Sequence, residues 1–365
     1  VPLCPIKSQS LENLQAQLHD WGEPAYRATQ VVEWLYTRRA PGWDAMTNLP
    51  RRLRERLAQH YAFTTLELVA QQGSADATRK FLWRLDDRAL IESVLIPASP
   101  TAPGADEETS RQTLCISTQV GCAYGCAFCA SGLGGFKRNL GADEIVEQVL
   151  AAQRRSRVDN LVVMGMGEPL ANYDNLIRAL RILNAPWGAN IGARRITVST
   201  SGLCPQIRRL AGEPQQFRLA ISLHGATDDV RNRLMPINHK HPLRDLIAAC
   251  EAYQTIKGRL ITLEYILISG VNDGLDQTRP LAALARRLHA KVNLISYNRV
   301  DGLPWQRPSQ PRQELFLAAL QRHGVKATLR RERGDDIDAA CGQLRLRTEP
   351  HLAAPASAVD TPQSR

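Results

Sequence analysis

No stretch of about 18 consecutive apolar residues occurs anywhere in the 365-residue chain, and its opening, VPLCPIKSQS, lacks the apolar centre of a secretion leader. Membrane spanning and secretion are therefore unsupported, and the expectation is a cytoplasmic protein. There is no repeat beyond an alternation of strand and helix signals. With 44% apolar and 22% charged residues, 24 Gly and 21 Pro, the composition excludes a collagen-like chain, a coiled coil and disorder throughout. Length leaves two arrangements open, since single cores stop growing near roughly 250–300 residues: two or three domains, or one large α/β domain with something appended.

Acidic side chains are in deficit. Asp and Glu number 36 against 46 Lys and Arg, a formal charge of +10, so the surface attracts polyanions, of which nucleic acid is the commonest. A merely soluble surface carries the same charge, because charge measures nonspecific affinity and says nothing of chemistry. Eight cysteines in a cytoplasmic chain read as metal ligands or catalytic thiols rather than a disulfide framework.

Residues 1–64 read as a small helical module, with apolar positions recurring at three and four in 11–21, around Val31 to Leu35, and in 51–60. Arg38, Arg39, Arg51, Arg52, Arg54 and Arg56 are interleaved there with Trp34, Tyr36 and Trp43. Basic and aromatic side chains together suit phosphate contacts and base stacking; a solvated helix face over a small core gives the same pattern. Residues 65–111 read as a β extension, from alternating runs at 80–85 and 90–96, and a Pro-, Gly- and acid-rich linker at 98–111. From 112 to 348, β-branched runs at 114–117, 161–164, 196–199, 219–223, 261–267 and 292–296 alternate with helical segments at 142–155, 173–183, 205–210, 242–253 and 281–288. Six strands with helical crossovers predict an α/β fold, a parallel sheet wrapped by helices, with chemistry at the carboxyl ends of the strands. Residues 349–365 read as a disordered tail rich in Ala, Pro and Ser.

Directly after the first of these strands stands Cys122-Ala-Tyr-Gly-Cys126-Ala-Phe-Cys129. Three thiolates this close repel one another unless a cation holds them. A structural zinc wants four ligands, and no fourth local Cys or His is present. A zinc completed by a distant residue stays possible; a four-iron cluster on three cysteines would instead leave one iron open to a ligand.

The run Cys-x-x-x-Cys-x-aromatic-Cys at the end of a first βα strand resembles the radical S-adenosylmethionine (SAM) superfamily, and that resemblance implies a [4Fe-4S] cluster at Cys122, Cys126 and Cys129 inside a partial (β/α)6 barrel. In that superfamily the reduced cluster splits SAM into methionine and a 5′-deoxyadenosyl radical. Met164-Gly-Met-Gly167-Glu168-Pro169 resembles its SAM-amine-binding segment, with Gly167 allowing close backbone approach and Glu168 accepting from an ammonium group. Ser199-Thr-Ser-Gly202, Ser222-Leu223-His224 and Tyr297-Asn298 resemble the SAM ribose and adenine contacts of the RlmN and Cfr rRNA adenine methyltransferases. Arg330-Arg-Glu-Arg-Gly-Asp-Asp-Ile-Asp-Ala-Ala-Cys341-Gly-Gln-Leu344 is similar to the carboxy-terminal signature of that family, as are the segment from Thr113 to Cys122 and Leu234-Met-Pro-Ile-Asn238. The likeness covers essentially the whole chain, the helical module resembling the family's RNA-facing domain. One departure is Arg299 after Asn298, where the family usually has proline.

The resemblance implies methylation of adenosine C2 in 23S rRNA and in tRNA; a Cfr-like methylation at C8 and a non-catalytic iron–sulfur RNA-binding protein are the alternatives. Adenine C2 is an electron-poor amidine carbon that will not displace a methyl group from SAM, so a radical route is required. In the family mechanism one SAM methylates Cys341, whose thiolate is the nucleophile. The radical from a second SAM takes hydrogen from that S-methyl group, and the resulting methylene radical adds to C2. Cys115 then attacks the Cys341 sulfur, freeing methylated RNA and leaving a disulfide for cellular reduction. Cys115 and Cys341 stand 226 positions apart, so the scheme needs a carboxy-terminal segment that reaches the barrel. Glu92, a carboxylate punctuating an apolar strand, is given the base that removes the C2 proton; from sequence alone a solvent-facing glutamate on an edge strand is the simpler reading. Two SAM per turnover, a flavodoxin- or ferredoxin-like electron donor and a monomeric state complete the expectation. Cys4, Cys204 and Cys250 read as inert packing thiols.

Overall fold

The structure is a computed structural model that describes residues 3–73, 78–97, 111–330 and 343–353. Its helical module begins with β1 (Cys4–Pro5) and α1 (Leu11–Asp20), started by Ser10, whose hydroxyl accepts from the Asn13 amide. α2 (Tyr26–Val32) runs on into a single π turn, Glu33–Thr37. α3 (Arg51–His60) follows Pro50 and turns Leu53 and Leu57 inward, leaving Arg51 and Arg52 exposed. β2 (Tyr61–Ala62) pairs parallel with β1 and closes the module. Tyr36 departs from the expected stacking surface. It is buried, edge-on to Trp187 of the next region at 5.7 Å between ring centres, and so serves as core. Lys7 is also buried, its ammonium donating to Glu147 (2.5 Å) and to the Thr64 carbonyl (2.7 Å), which ties the module to the helix that carries Glu147.

One ten-stranded sheet organises the rest. β3 (Glu67–Gly73), β4 (Arg79–Arg84) and β5 (Leu90–Pro97) form antiparallel pairs, and β5 pairs antiparallel with β6 (Gln112–Cys115). A hairpin of β7 (Gln119–Gly121) and β8 (Phe136–Asn139) brackets the cysteine run and the one-turn α4 (Ala130–Leu133). After α5 (Ala142–Gln153), β9 (Asn160–Val163) pairs parallel with β6; then come α6 (Tyr173–Asn184), β10 (Ile196–Thr200), α7 (Cys204–Ala211), β11 (Arg218–Ser222), α8 (Asp228–Leu234), α9 (Leu243–Lys257), β12 (Thr262–Leu267), α10 (Thr278–Arg287), β13 (Lys291–Ser296), α11 (Gln310–Arg322) and β14 (Ala327–Arg330). β9 pairs parallel with β6 and each strand from β10 to β14 with the one before it, so the sheet order follows the chain, as in a barrel wound one way. All six expected parallel strands are present. β14 is a seventh, and the β extension is no separate sheet but three further strands on the same one.

The helical face of this sheet carries the main core, into which Phe81, Trp83, Ile91, Leu95 and Leu114 point along with the helix interiors. Period-two alternation sends their neighbours to the other, inner face. There Leu82 and Leu90 meet Leu344 of α12 (Gln343–Ala353). Helix therefore occupies Glu349–Ala353, the start of the expected tail, and Glu349 is fixed by Arg345 (2.8 Å) and Lys137 (3.3 Å). The remainder of the tail lies outside the described residues.

Candidate active site

Every parallel strand ends at the same rim, and Cys115, the cysteine loop, Gly167, Glu168, Ser199, Ser222, Leu223, His224 and Asn298 gather there because each lies at the end of a strand or follows one. At the end of β6 stands Cys115, buried, with Val94 of β5 opposite it. The cysteine loop hangs from β7 and is clamped by backbone bonds: the Cys122 amide donates to the Gly135 carbonyl (3.1 Å) and the Ala127 amide to Leu234 (2.9 Å). Trp305 adds a third clamp, its indole N–H donating to the Ala127 carbonyl at 2.8 Å. Burial pushes the Cys122 thiol up to about 11, with Cys129 and Glu168 adding repulsion; the Cys126 thiol is raised further, by burial and then by Cys129 and Cys122. Three mutually repelling, half-buried thiols become thiolates only against a positive centre. Among the described residues no three His, Cys, Asp or Glu side chains converge to hold a single ion. A four-iron cube takes its thiolates at separate corners and needs no such convergence, so this donor set fits it.

After β9 the chain turns through Gly165 and Gly167. A Cβ on Gly165 would lie 2.6 Å from the Ile116 carbonyl oxygen; one on Gly167, at φ +98°, would lie 2.5 Å from Gln119 Cβ. This close approach presses the segment onto β7, and the Glu168 amide donates to Gln119 Oε1 (2.9 Å). The Glu168 carboxylate is buried and occupied: it accepts from the Ser201 amide (2.7 Å) and the Leu170 amide (3.0 Å). Burial raises its proton affinity while the amide bonds lower it. Glu168 thus caps the turn at Pro169–Asn172 and joins the ends of β9 and β10, besides facing Cys122 and Cys126.

On β10 and β11 the hydroxyls of Ser199 and Ser222 lie 3.3 Å apart. Leu223 and His224 continue from β11, both donating their amides to the Glu264 carbonyl. His224 is a left-handed residue, φ +56°, and its Nδ1 accepts from the Ile266 amide at 3.1 Å, which assigns its proton to Nε2. Burial first, and then Arg231, pulls its pKa down to about 3, so the ring is neutral. It stands edge-on to Phe128 of the cysteine loop, 4.9 Å between ring centres. Asn298, after β13, gives its side-chain oxygen to Arg307 (2.8 Å), and Arg307 also donates to the Tyr297 carbonyl; the segment after Arg299 is thereby held by an arginine.

Glu92 does not face solvent. β5 lies between β4 and β6, and Glu92 is on the inner face, 2% exposed, with Lys80 at 2.9 Å from Oε2 and the Arg345 amide donating to Oε1 at 2.6 Å. Antiparallel register puts Glu92 diagonal to Cys115 on that same face. Cys341 lies outside the described residues. The chain enters its segment at Arg330, at the rim where β14 ends, and leaves it at α12, whose first turn bonds Glu92.

Sequence reasoning missed Lys80, Trp305 and Arg231. Arg231 is buried, donates to Leu223 O (3.2 Å), Asn238 Oδ1 (2.6 Å) and Ser201 O, and so laces the ends of β10 and β11; burial draws its pKa down to about 10. The Leu234–Asn238 motif was a visible signal, but what it holds was not. Cys204 and Cys250 are buried packing thiols, as expected, whereas Cys4 is exposed.

A barrel wound one way, with three cysteines on the loop after its first strand and a glycine-glutamate turn after its second, defines a radical SAM enzyme. Residues 116–279 match the radical SAM superfamily and residues 6–62 the ribosomal RNA large subunit methyltransferase N-terminal domain. The chain is 56% identical to a probable dual-specificity RNA methyltransferase RlmN 3 of Opitutus terrae, over 94% of this chain and 95% of that one. It is 45% identical to the dual-specificity RNA methyltransferase RlmN of Anaeromyxobacter dehalogenans, over 98% and 96%. A crystal structure of a radical SAM methyltransferase from Sphaerobacter thermophilus superposes with TM-score 0.87 at 46% identity, over 94% of this chain and 99% of that one. The chain belongs to the RlmN family of radical SAM RNA methyltransferases, and membership implies a [4Fe-4S] cluster and SAM. Among the described residues no helix is long and apolar enough to cross a membrane.

Proposed function

We propose that this protein methylates C2 of adenosine in 23S rRNA and in tRNA through a methylated Cys341, with Cys115 as the resolving thiol and Glu92 as the base. The observation that carries the assignment is the shared inner face of Glu92 and Cys115, beside the cysteine loop and under the helix that follows the Cys341 segment. When bound, the cluster supplies an electron and an open iron position to SAM. Cys122, Cys126 and Cys129 hold it; Gly167 and Glu168 shape the wall beside it; Ser199, Ser222, Leu223, neutral His224 and Asn298 line the place for the nucleoside end of SAM. Neutrality suits His224 to that task, because an imidazolium would repel a sulfonium ligand. Cys341 carries the methyl group and Cys115 meets it across the inner face, the pair ending as a disulfide. Two SAM are used per turnover, one to load Cys341 and one to activate it. A flavodoxin- or ferredoxin-like donor supplies the electron to a monomeric, cytoplasmic enzyme.

Nucleoside mass spectrometry of 23S rRNA and tRNA incubated anaerobically with reconstituted protein, reductant and labelled SAM tests this reading. The expected product is 2-methyladenosine in both RNAs. 8-Methyladenosine without 2-methyladenosine would overturn the regiochemistry, and zinc without inorganic sulfide in the purified protein would overturn the whole scheme.

A further inference from the structure

The inner face of β4 and β5 carries Arg84 at its partly exposed end, paired with Glu67, and is otherwise apolar except at one buried place. Leu82, Leu90 and Val94 lie on it, Leu344 packs over the two leucines, and between them sit Lys80 and Glu92, 0% and 2% exposed and 2.9 Å apart. The register fixes the pair: Glu92 is opposite Leu82 and Lys80 opposite Val94, so the two charges are diagonal neighbours on adjacent strands. Taking two charges out of water costs several kcal/mol per ion, and a well-packed apolar pair would stabilise this patch at least as well. Stability alone therefore does not explain why charges occupy it.

We propose that Lys80 is a positioning residue for the proton-removal step, holding the Glu92 carboxylate ionised and aimed along the inner face toward the adenine. The proposal rests on Glu92 being the base. A carboxyl buried among leucines with no cation beside it keeps its own proton and cannot take another. Lys80 and the Arg345 amide differ in kind as partners of Glu92. Lys80 belongs to a central strand and stays when the site opens; the Arg345 amide belongs to the helix after the Cys341 segment and is the partner that an entering base displaces from Oε1. Among the described residues Cys115 on β6 and the Ser117 hydroxyl, which donates to the Glu92 carbonyl at 2.7 Å, also lie at this place, and neither of these two supplies a positive charge. In the step itself the C2–H bond of the RNA adduct breaks, the proton passes to a Glu92 oxygen and the electron pair stays in the adduct. Lys80 keeps its proton throughout, and Glu92 later returns the acquired one to water.

The test compares Lys80→Met, Lys80→Arg and Glu92→Gln in reconstituted holoenzyme under single turnover, reading 5′-deoxyadenosine, RNA–protein adduct on denaturing gels, and methylated nucleoside. With Lys80→Met, RNA binding and 5′-deoxyadenosine formation persist. Adduct accumulates, and product forms on the order of 100-fold more slowly at neutral pH. The rate recovers as pH rises, and Lys80→Arg restores most of it. Infrared difference spectra of the RNA-free protein then show at neutral pH a protonated-carboxyl band in Lys80→Met that the further change Glu92→Gln removes. Wild-type turnover by Lys80→Met at every pH would overturn the proposal, as would a loss independent of pH with no adduct and no such band. If Glu92→Gln itself turns over like wild type, the base assignment fails and the proposal with it; if Glu92→Gln traps adduct and Lys80→Met does not, only Lys80 is refuted.

Discussion

At the carboxyl ends of β9 to β13 the candidate ligand contacts are backbone turns, two serine hydroxyls, an amide side chain and a neutral imidazole, joined by an already occupied carboxylate. On the inner face of β4 and β5 they are a lysine and a glutamate facing each other. On the proposed reading the rim receives a charged ligand beside a thiolate-held centre, and its polar groups are small, fixed and mostly uncharged. On the same reading the inner face takes a proton, and it holds a lysine–glutamate pair where an apolar pair would pack as well. Neighbouring strands of one sheet thus meet opposite electrostatic demands. They can, because the parallel strands contribute their ends while the antiparallel extension contributes a flat face.

Cys341→Ala separates chemistry from scaffold most sharply. It removes the proposed methyl carrier and is expected to abolish methylation, below about one thousandth of wild type, while RNA binding measured by filter retention is unchanged. Wild-type methylation by this variant would refute the carrier role. Gly167→Ala attacks the rim through its backbone. A Cβ at φ +98° and 2.5 Å from Gln119 Cβ should cost about 3 kcal/mol in chemical unfolding and weaken SAM binding, leaving the Glu92–Lys80 face intact.

His224 tests the neutrality of the rim. Its pKa, about 3 when folded, lies below the roughly 6.5 of an unfolded histidine, so between these values the unfolded chain binds more protons. Stability is then fully present above the unfolded value and is lost as pH falls toward 3. His224→Asn, which tolerates the left-handed backbone, should flatten this acid loss by on the order of 3 kcal/mol in denaturant titrations at pH 7 and pH 4. An unchanged acid limb would mean that the ring is accessible to water. Smallest is Trp305→Phe, which deletes the indole bond to Ala127. It should cost about 1 kcal/mol and show chiefly as faster iron release to a chelator, with the far-UV circular dichroism of the sheet unchanged.

Strand ends were legible because β-branched runs stop where turn chemistry begins, and a Cys, Gly-Glu or Ser directly after such a run is at the rim whatever the rest of the fold does. That reasoning put Gly167, Glu168, Ser199, Ser222 and His224 at strand ends, where the structure has them, while Cys115 came from the family resemblance. It did not reach Glu92, where a single carboxylate in an apolar strand reads more simply as the solvent side of an edge, and nothing local says that β6 covers one flank and α12 the face. β14 was missed because its four residues, Ala327–Arg330, give too short an alternation to stand out before pairing with β13. Whether Tyr36 stacks on a ligand or packs inward stayed open because helical spacing cannot tell a face packed against another region from one facing solvent.

The chain by itself determined the order of strands and helices, the cysteine loop and the residues at strand ends, because hydrophobic period and turn residues act over a few positions. Which carboxylate is buried, which lysine it meets and which helix covers both were decided only by the tertiary structure. Charges on neighbouring strands become partners through sheet register, and Glu92 and Arg345, 253 positions apart, meet only once β14 has delivered the chain back to the rim.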